Sequence, residues 1–158
     1  MKKLILVVAI FATASVQQTF AQDTSSTQSS DLLTSYYNIK DALVSSDANM
    51  AAVSAEQFVR NLKSISAETV QGPNKEALLK DAGKISDTKN LKKQREYFST
   101  FSANMYALSK TVKFSLEPIY YQYCPMKQAT WLSSSTTIKN PYYGDAMLTC
   151  GKVTETIQ

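Results

Sequence analysis

From Leu32 to Val112 the apolar residues return at three- and four-residue steps in four successive runs, so the chain must bury four amphipathic helices against one another. Leu32, Tyr36, Ile39 and Leu43 mark the first run, and Ser30 and Asp31 supply cap chemistry for a helix over 31–45. Asp47 restarts the pattern, with Ala51, Ala55, Phe58, Val59, Leu62 and Ile65 as the second stripe. The short Ser45-Ser46-Asp47 junction predicts that these two helices are antiparallel neighbours. Gly72-Pro73 breaks the chain before Leu78, Leu79, Ala82 and Ile85 outline a shorter third helix, which ends near Lys84 or Ser86. Asp87 or Thr88 is placed to cap the fourth, whose stripe of Leu91, Phe98, Phe101, Met105, Leu108 and Val112 meets no Pro or Gly. The expected fold class is all-α, a four-helix up-down bundle.

Past Glu117-Pro118 the helical period is lost. Aromatic and β-branched residues rise, and Asn140-Pro-Tyr-Tyr-Gly144 is turn chemistry. The expectation for about 118–158 is an irregular, aromatic-rich Cys/Met lobe packed on the bundle, compatible with short strands. Trp131 and the tyrosines at 120, 121, 123, 142 and 143 are expected to pack this lobe rather than line a pocket, although Trp131 is also placed to face a bound monovalent cation. Arg95 and Glu96 on the fourth helix are candidates for hydrogen-bonding the lobe.

At the other end, Lys2 and Lys3, the apolar run Leu4–Ala12 and the small-residue site Thr19-Phe20-Ala21 read as a secretory signal peptide over 1–21, cleaved after Ala21. The apolar run falls short of the roughly 20 residues a bilayer span needs. The mature chain is therefore expected to be periplasmic or secreted, without membrane insertion. Residues 22–30, QDTSSTQSS, hold no apolar side chain and are expected to form a disordered leader, which leaves 31–158 as a single domain. Of the 17 basic residues Lys2 and Lys3 belong to the leader peptide; the remaining 15 face 13 acids, a net charge of +2. So weak a field gives no footprint for nucleic acid.

The chain has no His, which removes Ser-His-Asp and Cys-His catalysis, His-ligated zinc and the commonest general base at neutral pH. An enzyme is not expected. The two Cys, 124 and 150, are too far apart in sequence for the C-x-x-C spacing of a thiol–disulfide exchange enzyme. They occur instead as Cys124-Pro125-Met126 and Met147-Leu148-Thr149-Cys150, one thiol and one thioether in each segment in near mirror-image order. If the turn at 140–144 brings the segments together, Cys124, Met126, Met147 and Cys150 form a four-sulfur ligand set. Soft donors of this kind select Cu(I) or Ag(I) over zinc, magnesium or calcium. A structural or protein-interaction module braced by a Cys124–Cys150 disulfide, without metal, is the competing reading, since an oxidising compartment favours the bridge and closing a loop of about 27 residues would contribute roughly 3.5 kcal/mol. On composition alone the disulfide stands somewhat ahead, and a redox change would let one pair serve both ends.

The tail motifs YYQYCPM, WLS and IKNPYYGDAMLTCGKV, together with YYNIKDALVSSDANMAA and KNLKKQREYFSTFSANMYAL upstream, resemble the periplasmic family catalogued as domain of unknown function 3347. The segment between the CPM triplet and the Trp is shortened here to KQAT. Such domains are fused to, or encoded beside, adaptor subunits of copper and silver efflux pumps. The resemblance therefore implies heavy-metal handling, with an efflux adaptor or metallochaperone as partner, and places the metal reading ahead of the disulfide.

Overall fold

The computed structural model describes residues 20–158 except Glu68 and Gln71, with side chains described from Thr27 onward. The expected signal peptide thus lies almost wholly outside the described residues. Four helices come first: α1 (Phe20–Val44), α2 (Ala48–Ser64), α3 (Gly72–Ser86) and α4 (Leu91–Ser109). Each packs against the next in sequence. No described helix is long and apolar enough to cross a membrane.

Local chemistry sets the helix boundaries. Ser46 adopts a left-handed φ of 61° that reverses the chain after α1, and the Asp47 carboxylate then accepts the Met50 N–H at 2.8 Å to cap α2. Asn90 does the same for α4 through the Lys93 N–H at 3.1 Å. Between them Gln94, fully buried on α4, donates to the carbonyls of Ala48 at 2.9 Å and Thr88 at 2.7 Å, tying the start of α2 to the α3–α4 turn. Inside, Phe58, Phe98, Phe101 and Tyr36 are fully buried, with Phe58 edge-on to Phe101 at 4.7 Å between ring centres. The helix α1 also runs through residues 22–30, where Ser29 is buried. That run has no Gly or Pro, so nothing in it stops a helix propagated from the packed turns behind it.

The all-α expectation is overturned beyond α4. Residues 119–157 form a three-stranded antiparallel sheet, β1 (Ile119–Cys124), β2 (Ala129–Ser133) and β3 (Lys152–Ile157), in the order β2-β1-β3. The protein is a mixed α/β fold in which four helices precede a sheet, and the lobe expected to be irregular carries three ordered strands joined by turns. The reason is local: Ile, Tyr, Val and Thr crowd these segments, and such side chains fit a pleated, half-buried surface better than a helix. Tyr121 of β1 then stands opposite Leu132 on β2 and Glu155 on β3.

The sheet is fastened to the helices at several points. Tyr36 of α1 lies within 2.7 Å of Ser102 of α4 through its hydroxyl, which also accepts the Leu132 N–H of β2 at 3.0 Å. Burial holds this phenol far above its ordinary titration range, so it remains a neutral donor and acceptor. At the far end of α4, Tyr106 stacks on Tyr121 at 3.7 Å and donates to Glu155 at 2.6 Å, while Lys110 pairs with the same carboxylate. Replacing Tyr36 with Phe keeps the ring but strands the buried Leu132 N–H and Ser102 hydroxyl, and should cost about 1–3 kcal/mol in denaturant unfolding. A loss below about 0.5 kcal/mol would mean that this joint carries no net stability.

Candidate functional site

Strand β1 ends at Cys124, and Pro125–Gln128 turns the chain into β2. The Gln128 N–H closes this turn on the Cys124 carbonyl at 2.8 Å, and Gln128 takes a left-handed φ of 55°. With the chain folded back so tightly, the backbone N–H groups of Met126 and Lys127 point at the Cys124 sulfur. On the other side β3 begins at Lys152, opposite Tyr123 of β1, which brings the preceding Cys150 alongside Cys124. The two sulfurs stand 3.2 Å apart and both thiols are free. Cys124 is buried and Cys150 is half-buried.

Two other groups hold this approach. Gly151 has a φ of 156°, and a Cβ there would lie 2.8 Å from Cη2 of Trp131 and 3.1 Å from the Tyr123 carbonyl, so the chain after Cys150 lies directly on the indole. Trp131 is fully buried edge-on to Tyr142, and its Nε1–H has no hydrogen-bond partner among the described residues. Asn140 binds the Cys150 carbonyl through its side-chain amide at 2.7 Å. Arg95 reaches the same region from α4, donating to the Pro141 carbonyl at 2.9 Å and to the Leu43 carbonyl at 2.9 Å. Gly144 lets it do so, because a Cβ at that left-handed residue (φ 55°) would sit 2.7 Å from the guanidinium.

The environment separates the two thiols electrostatically. Burial pushes the Cys124 thiol up, but hydrogen bonds from the Lys127 N–H, the Cys150 thiol, Asn140 and the Met126 N–H together bring it below its usual range. Cys150 moves the opposite way, chiefly because its proton is held by the Cys124 sulfur and then by burial. Both directions favour Cys124 as the sulfur of the pair that carries negative charge.

Of the four expected ligands, the fold brings Cys124 and Cys150 into contact. Met126 is 66% exposed and Met147 is half-buried, so neither thioether is buried beside Cys124. Among the described residues no three His, Cys, Asp or Glu side chains converge. With metal–sulfur bonds of about 2.3 Å, sulfurs 3.2 Å apart would subtend about 90° at an ion, and a trigonal arrangement would need them about 0.8 Å further apart. A disulfide would need them about 1.2 Å closer. Cys150, half-exposed at the end of a loop, is the side chain free to make either adjustment. In the sequence Asn140 marks only the start of a turn and the N–H groups around Cys124 are not visible; the Asn-Pro and Cys-Pro dipeptides are the signals for both.

Four helices carrying a sheet whose strand ends hold a thiol pair define a small α/β domain with a soft-donor centre. A family model described as "protein of unknown function (DUF3347)" matches residues 32–116, and the chain belongs to that family. The matched stretch is the helical half and the approach to β1, so both cysteine segments lie outside it. No curated protein and no solved structure matches the chain.

Proposed function

We propose that this chain is a non-enzymatic periplasmic module that binds Cu(I) or Ag(I) on Cys124 and Cys150, with Met126 and Met147 as flanking thioether donors, and hands the ion to an efflux adaptor or metallochaperone. The observation that carries this reading is the contact of two free thiols at 3.2 Å, one favoured as thiolate by the N–H groups of its own turn. Thiolate and thioether sulfur with no imidazole is a donor set for soft monovalent ions. The Lys2-Lys3 leader with its apolar run supports export, and the family resemblance in the tail motifs supports the link to copper and silver efflux. The absence of His supports a binding rather than a catalytic role.

Titration of the reduced protein with Cu(I) against a chromophoric chelator tests the proposal. One equivalent should be withdrawn from the chelator at micromolar protein; no competition with both thiols free would end the metal reading. The same 3.2 Å contact favours a second reading, in which the pair closes to a disulfide that braces β1 to β3. Protein taken from the periplasm should then carry no alkylatable thiol, whereas the metal reading expects two.

A further inference from the structure

Asn140 is fully buried in the loop between β2 and β3, and every polar group it has is engaged. Its backbone N–H donates to the Leu148 carbonyl at 2.8 Å, and its backbone carbonyl accepts the Gly144 N–H at 3.1 Å. Its side-chain carbonyl accepts the Tyr142 N–H at 2.8 Å, and its side-chain amide donates to the Cys150 carbonyl at 2.7 Å and helps to favour the Cys124 thiolate. One residue thus shapes its own loop with three bonds and spends its side-chain N–H groups on the two cysteine segments. We propose that Asn140 is the positioning residue of the thiol centre, holding Cys150 against Cys124 so that the two sulfurs act as one unit.

The chemistry of the amide supports this assignment. The loop-shaping bonds need only an acceptor at the side chain, which a carboxylate would supply equally well. The bond to Cys150 needs a donor. Asn140→Asp keeps the shape and the bond from Tyr142 while turning an oxygen toward the Cys150 carbonyl and the Cys124 sulfur, two groups that repel it. The segment carrying Cys150 should swing away from Cys124 even where the loop keeps its form. The consequence for ion binding rests on the metal reading above; the positioning of the thiols does not.

The test is the equilibrium of the folded protein with glutathione disulfide, in which the two protein thiols become one protein disulfide and one glutathione disulfide becomes two glutathione thiols. The ratio gives the effective concentration of one thiol at the other and needs no metal. Asn140→Asp should lower it at least tenfold, on the order of what one repelled buried contact is worth, and weaken Cu(I) binding to a similar degree. A folded Asn140→Asp protein within twofold of the unaltered one would overturn the proposal, and a tenfold fall in thiol pairing without Cu(I) binding in either protein would refute the metal reading alone. Should the variant fail to fold, the unaltered protein decides by NMR. The Asn140 side-chain amide should exchange at least a hundredfold more slowly than a free amide and shift when the thiols are oxidised. Exchange at the free-amide rate, or no shift, would overturn the assignment.

Discussion

Cys124→Ser should lower Cu(I) affinity by about a thousandfold or more, while the double change Met126→Leu, Met147→Leu should lower it about tenfold. The two effects differ because the donors differ. Cys124 contributes a charged, polarizable sulfur whose negative form the Met126 and Lys127 N–H groups already favour. A serine hydroxyl at the same place is a hard oxygen that keeps its proton at neutral pH, so the site would lose one of its two anionic ligands. The methionines contribute neutral thioethers from positions that are exposed or half-buried, where an ion gains less from each. Leu nearly conserves their volume, so metal-free stability should shift by less than about 1.5 kcal/mol. Competition titrations on reduced proteins check both. Retention of affinity within tenfold in Cys124→Ser would remove Cys124 from the site, and an unchanged double Leu variant would reduce the proposal to a pair of thiolates.

Trp131→Ala should be the most damaging single change to the fold, with a cost of about 3–5 kcal/mol and a fall in Tm on the order of 10 °C. Trp131 is the largest fully buried side chain, it stands opposite Gln122 of β1 in the sheet, and its ring carries both Tyr142 and the backbone at Gly151. Alanine would empty that volume at the junction of β2 and the β3 approach. Trp131→Phe should cost less than half as much, since it keeps an aromatic ring and also removes a buried N–H that has no partner among the described residues. Calorimetry under reducing conditions measures both. A loss below about 1 kcal/mol for the alanine variant would show that the approach to β3 is held to the sheet by other contacts.

The helical half was legible because its information is periodic and local. Ala51, Ala55, Phe58 and Leu62 in α2, and Phe98, Phe101, Met105 and Leu108 in α4, form the buried faces that their spacing defines. Strand β1 offered no such period: in IYYQYC the buried residues are Ile119, Gln122 and Cys124, which alternate neither every two residues nor every three or four. Its partner β3 lies far along the chain, and the pairing carries a register shift between Tyr121 and Gln122, so nothing in a short window announces it. The site divides in the same way. The paired thiol and thioether segments are visible in the sequence, and of their four sulfurs the fold brings the two thiols into contact. Asn140 could not be found by that route, because a buried amide serving a carbonyl ten positions away looks, in sequence, like any Asn before a Pro.

The claim that this centre takes a soft monovalent ion is tested most directly by X-ray absorption at the copper edge of reduced protein loaded with one equivalent of Cu(I) and desalted. Copper should stay bound, remain monovalent and show a first shell made of sulfur alone, with two short thiolate bonds. A shell dominated by oxygen or nitrogen, or copper lost to the desalting column while both thiols remain free, would contradict it.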